Sequence, residues 1–307
     1  MPEAVAGILL RPPAKGQLYH RMFPADGVER VRAVGTIVLG LLLFTVGASL
    51  VALAVMGAVW FLSGQPGQFQ TFVAPVSTFS TPWGMAAAQV GLASLIPIAM
   101  VCGVLGNQAA PRWLWSVVGR PRWGIVAWAS GVAVLTIVGP ALISRIGQSW
   151  DARPQDNFWW FMLAVALTSP LQAAAEEVFF RGYLQQALGT LAASPWVSVV
   201  GSAAIFAFYH GVQNLPLFLA RFAFGLLAGW LVIRTGGLEA GIAAHVVNNV
   251  AAFVLAGLFD TISGARTKTD IGWSDFAWMT GGYALFALLA AVIAWKVGSR
   301  TRTAGSV

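Results

Sequence analysis

The sequence predicts an all-α, polytopic membrane protein with about eight transmembrane helices. Three observations carry that prediction. Of the 307 residues 58% are hydrophobic and only 9% charged, and the mean hydropathy is +0.74, a composition outside the range of soluble globular domains. The apolar residues gather into runs of about 20, the length that crosses a hydrocarbon core. Tryptophans mark the ends of several runs, at Trp60, Trp83, Trp123, Trp159, Trp160 and Trp196, where amphipathic rings anchor among headgroups.

The spans are read at 34–62, 83–105, 123–147, 157–189, 196–213, 215–234, 238–259 and 276–297. The first follows a polar, proline-containing and basic stretch and is too long for a signal-peptide core, so it is expected to remain as an anchor. Ser63-Gly64-Gln65-Pro66-Gly67 ends it. The second stops at Gly106-Asn107, the third before Arg153-Pro154 and the fourth at Ser194-Pro195. Asn214 with Pro216 closes the fifth, Gly236-Gly237 the sixth, and the polar stretch from Asp260 to Asp275 separates the last two. Such residues punctuate helices. Pro97, Pro140 and Pro170 predict kinks, tolerated where neighbours re-satisfy the freed carbonyls. Cys102, the lone cysteine, has no partner for a disulfide and reads as packing. Neither an internal repeat nor a second domain is evident.

The net charge is +7 and the pI about 10.3, but the basic residues sit in short segments between apolar runs. There they set topology and meet anionic lipid, which argues against nucleic acid as a partner. One side receives Arg11, Lys15, Arg21, Arg30, Arg32, Arg112, Arg120, Arg122, Arg181, Arg234, Lys296, Arg300 and Arg302. The other receives Arg145, Arg153, Arg266 and Lys268. Arg221, inside the sixth span, reads as snorkelling or pairing with backbone carbonyls. The positive-inside rule then places both termini in the cytoplasm, as an even number of crossings requires.

Within the spans ionisable groups are scarce, and the exceptions form one set: Glu176, Glu177 and Arg181, then His210, then His245 with Asn249. Intramembrane charge is costly and marks functional sites by default. The turn at Ala193-Ser194-Pro195 lies midway in sequence between Glu176 and His210, which puts both at one depth in an antiparallel hairpin. His245 enters from the same side, so the three are expected to converge inside the bilayer. His245 and Asn249 are four apart and share a helix face. Adjacent helical positions are rotated by about 100°, so Glu176 and Glu177 cannot face one point. Glu176 is assigned to chemistry; Glu177 is assigned to an i,i+4 ion pair with Arg181 that neutralises the membrane face. Ala173 to Ala175, and Gly225 with Gly229, are small residues for close helix approach. His20, in the polar tail, carries no signal.

Glu176-Glu177-Val-Phe-Phe-Arg181-Gly182 fits EExxxRG, Phe206-Ala-Phe-Tyr-His210 fits FxxxH, and His245-Val-Val-Asn-Asn249 fits HxxxN. In these motifs, over roughly residues 155–260, the chain resembles the CPBP-type intramembrane proteases, named after CAAX prenyl proteases and bacteriocin-processing proteins. The resemblance implies an eight-helix core and peptide-bond hydrolysis. Glu176 and His210 would polarise a water, and His245 with Asn249 would donate to the oxyanion. It further implies a peptide or membrane-protein substrate. On this reading residues 33–298 form the protease domain, and 1–32 and 299–307 are cytoplasmic tails. Zinc enters as a possible cofactor, because Glu176, His210 and His245 make a plausible ligand set. Yet no His-x-x-x-His pair is present and Asn249 stands where a second histidine would, which favours metal-free catalysis. Two rivals are weighed: a non-catalytic relative acting as an immunity or assembly factor, and a transporter, whose duplicated halves are missing here.

Overall fold

Backbone in lipid has to satisfy its own hydrogen bonds, and the helix is the local solution for long apolar runs. The computed structural model describes residues 4–5, 8–25, 27–143, 146, 150–211 and 213–304. Its principal helices are α1 (Gly27–Leu62), α2 (Pro82–Asn107), α3 (Trp123–Ile143), α4 (Phe158–Leu191), α5 (Pro195–Phe208), α6 (Leu215–Thr235), α7 (Glu239–Phe259) and α8 (Trp273–Lys296). Seven of these are long and apolar enough to cross a membrane, so the protein is an all-α, multi-pass membrane protein. Arg145 and the close of the expected third span lie outside the described residues.

The expected fifth span is corrected. With 14 residues, α5 reaches about 21 Å at 1.5 Å per residue, short of a hydrocarbon core of about 30 Å. It stops because Gly211 takes a left-handed φ of 79°, and His210, Gln213 and Asn214 surround that break. The loops nevertheless show that the chain passes from one end of the bundle to the other here. At one end Arg21 donates to the Gly189 carbonyl (2.6 Å) beside the α4–α5 turn. At the other, the Asn214 amide bonds Thr269 (2.8 Å) and Arg153 bonds Leu258 (2.9 Å). Between Phe208 and Leu215 the described residues are non-helical.

Both chain-terminal segments lie at the first of these ends. Leu18 bridges Arg302 in antiparallel fashion, Gly16 and Gln17 exchange backbone hydrogen bonds with Thr303, and Arg302 donates to Gly16 (2.8 Å). The polar N-terminal segment folds back onto the bundle: Tyr19 and His20 are buried, and the Tyr19 hydroxyl donates to the Leu114 carbonyl. Accordingly α1 begins at Gly27, earlier than its apolar run, with Glu29 buried against Arg11.

Small residues set the closest contacts. A Cβ on Gly225 would stand 2.8 Å from Ala203, and one on Gly229 would stand 2.9 Å from Gln185 and 3.3 Å from Val199, so α6 lies directly on α5 and α4. Of the three prolines, two coincide with departures from α geometry. The helix breaks at Ser94 ahead of Pro97, and a π segment, Val134–Val138, precedes Pro140. Pro140 cannot engage the Thr136 carbonyl, and Gly282 of α8 packs against that oxygen. Pro170 sits inside an uninterrupted helix.

Candidate active site

α4 brings the acids. Its residues 172, 176 and 177 are presented to α7, and immediately after them the helix widens into a seven-residue π segment, Val178–Leu184, a distortion common at functional sites. The start of α7 is fixed from outside: Leu238 and Gly236 hydrogen-bond Trp115 and Val117 (both 2.9 Å). Arg122 clamps Glu239 through two side-chain bonds of 2.7 Å and one backbone bond of 3.0 Å. His245 follows less than two turns later. Gly241 lets α4 come close, since a Cβ there would stand 3.2 Å from Glu177 Oε2.

The polar side chains form one buried network. Glu177 Oε1 accepts from Arg181 Nη1 at 3.0 Å and from His245 Nδ1 at 2.9 Å. This bond fixes the proton of His245 on Nδ1 and turns Nε2 toward Glu176, whose Oε2 lies 3.6 Å away. Glu176 Oε1 accepts from Gln172 Nε2 at 2.5 Å, and Gln172 Oε1 in turn accepts from Asn249 Nδ2 at 3.0 Å. Asn248 donates to Asn249 Oδ1 (3.1 Å), orienting that amide. The structure thus brings together Glu176, Glu177, Arg181, His245 and Asn249.

His210 stands beside the network and is not hydrogen-bonded into it among the described residues. Its Nδ1–H donates to the Phe206 carbonyl (2.8 Å), leaving Nε2 as the acceptor nitrogen. The Phe206 ring neighbours both imidazoles, its centroid 4.5 Å from that of His210 and 6.4 Å from that of His245. Arg221 donates to the His210 carbonyl and to Gln213 Oε1 (3.3 and 2.7 Å), so it pairs with backbone as expected and fastens the turn that carries the histidine.

Several readings change. Glu176 and Glu177, expected not to face one point, both reach the His245 ring, Glu177 at Nδ1 (2.9 Å) and Glu176 at Nε2 (3.6 Å), because the imidazole presents a nitrogen to each. The Glu177–Arg181 pair forms, but both side chains are wholly buried instead of lying at the membrane face. α4 continues ten residues past Arg181, and Phe206, Phe224 and Phe180 box the guanidinium at 4.4, 5.1 and 5.9 Å. Arg181 is therefore an interior cation, not one of the loop charges that set orientation. Gln172 was not foreseen at all. Its signal was available: a polar amide one turn before Glu176 on a predominantly apolar helix. As for zinc, no three His, Cys, Asp or Glu side chains among the described residues are gathered in a way that could hold a metal ion. Glu176 and His245 approach each other, but His210 does not close the set, so the donors do not fit a three-ligand centre.

Comparison with known proteins agrees with the motifs. Residues 155–251 match the family model described as type II CAAX prenyl endopeptidase Rce1-like. The chain is also similar to the uncharacterized protein YyaK of Bacillus subtilis, 31% identical over 100 residues. That match covers 31% of this chain and 33% of YyaK, about a third of the relative's length.

Proposed function

We propose, from the premise that residues 155–251 are an Rce1-like segment of a polytopic membrane protein, that the chain is an intramembrane endopeptidase. Its substrate is a membrane-associated peptide or protein, and the nucleophile is a water. The observation that carries the reading is the buried Glu176 carboxylate, held by Gln172 on one oxygen and facing His245 Nε2 across 3.6 Å with the other.

In this mechanism Glu176 Oε2 takes a proton from water as its oxygen attacks the scissile carbonyl carbon. His210 Nε2, unprotonated because Nδ1 carries the ring's proton, accepts a second hydrogen bond from that water. The tetrahedral oxyanion receives hydrogen bonds from the second Nδ2–H of Asn249 and from His245 Nε2. Donation from Nε2 requires both ring nitrogens of His245 to carry protons; with Arg181 already on Glu177, the two positive charges are offset by Glu177 at Nδ1 and Glu176 beside Nε2 together. Glu176 then returns its proton to the leaving amine as the C–N bond breaks. No step passes through a metal.

The test is cleavage of a membrane-anchored peptide library by protein purified in detergent, with and without chelator, for the parent and Glu176→Gln. Cleavage that persists under chelation and disappears in Glu176→Gln at unchanged unfolding temperature is expected. Equal cleavage by both proteins would remove Glu176 from the chemistry. A parent that cuts nothing, yet sustains a phenotype that Glu176→Gln also sustains, would establish a non-catalytic role.

A further inference from the structure

At the end of the bundle that holds both chain-terminal segments, a cavity of about 480 Å³ opens between the loop preceding α3 and the segment following α8. It is lined by Val118, Arg120, Arg122, Ser299 and Arg300, three arginines and no acid. One of the three is already engaged, since Arg122 is held by Glu239 and by the Thr235 and Arg300 carbonyls. Arg120 and Arg300 are exposed, and among the described residues neither side chain has a hydrogen bond or an ion pair. The cavity therefore keeps an excess of two positive charges.

Its surroundings say what fits. Trp123, 74% exposed, begins α3 directly beside it, and Trp295, 79% exposed, stands in the last turn of α8 with Val292 and Val297 also exposed. Outward tryptophans at helix ends mark headgroup level, and the apolar flank below them suits acyl chains. We propose that this cavity is a binding site for the phosphate of an anionic phospholipid, its acyl chains lying along the Trp123 and Trp295 faces. The geometry combines a concave basic pocket with an adjoining apolar wall, which a soluble anion would leave unused. The inference does not depend on the peptidase reading.

The experiment is native mass spectrometry of the whole protein released from nanodiscs containing equal phosphatidylglycerol and phosphatidylcholine, for the parent and an Arg120→Gln/Arg300→Gln variant. An interfacial arginine strengthens anionic lipid binding about fivefold. The parent is expected to retain phosphatidylglycerol preferentially, and the variant to lose that preference by roughly ten- to thirtyfold, with phosphatidylcholine adducts and the unfolding temperature unchanged. Equal retention of phosphatidylglycerol by parent and variant would overturn the site. Displacement of the lipid by millimolar inorganic phosphate would also overturn it, because phosphate alone would then be the ligand. Should the double variant fail to fold, Arg120→Gln alone supplies the comparison, with about a fivefold loss expected.

Discussion

Residue by residue, the proposed hydrolysis depends on which side chain holds the next. Gln172 touches both Glu176 and Asn249, so Gln172→Ala is expected to lower kcat about 10- to 100-fold, the equivalent of a hydrogen bond to a charged group, with little change in KM. Gln172→Glu, which can still accept from Asn249 but repels Glu176, should not restore the rate; a Gln172→Ala enzyme at parental kcat would show that the bridge is idle. Asn249→Ala removes a proposed oxyanion donor, for which about 10²- to 10³-fold in kcat is expected, and single-turnover cleavage measures it directly. The sequence made much of this site legible. Charge in apolar spans is rare enough that Glu176, Glu177, Arg181, His210 and His245 stood out, and Asn249 was read from its four-residue spacing to His245; the 100° rotation between Glu176 and Glu177 did not foretell that both would reach that histidine. Gln172 went unread because an uncharged amide does not stand out by charge, and its role depends on α7 standing opposite.

Helices were legible where length and punctuation agreed, as in α6 and α7, whose ends fall within a residue of the expected ones. What stayed hidden were features set by packing. The π segment after Glu177 has no compositional mark, and α5 ends early because Gly211 turns left-handed within a stretch that still counts as apolar. The α5–α6 contact offers a test at this scale. A side chain at Gly225 would meet Ala203 below normal contact distance, so Gly225→Val is expected to destabilise by about 1–3 kcal/mol through overpacking. Thermal unfolding in detergent reads the effect, and an unshifted midpoint would mean that the helices separate without cost. Gly225→Ala, with a smaller volume, should fall between parent and Val.

The molecule as a whole is tied together at the end where its terminal segments meet. His20 is buried there, its ring nitrogen facing the Ala193 carbonyl, and burial holds its pKa below the ordinary value of about 6.5. In the unfolded chain His20 therefore takes up a proton first as pH falls. Its contribution is fully present above about pH 6.5 and is lost progressively below it. Between pH 7.5 and 5.5 the parent's unfolding temperature should thus drop more than that of His20→Gln, and equal drops would exclude His20 as the cause. The arginine distribution expected one basic end; Arg120, Arg122, Arg300 and Arg302 do stand where the terminal segments meet, whereas Arg181 is interior. That distribution did not reveal that the N-terminal segment is part of the packed structure, because polar residues that close over a helix bundle look in sequence like a solvated tail. The antiparallel clasp of residues 16–18 with 302–303 has a practical corollary. The two segments are already neighbours, so a short linker between them, with the chain reopened at residues 63–67, would yield a circular permutant of unchanged architecture, whose relocated ends would report from the opposite membrane face.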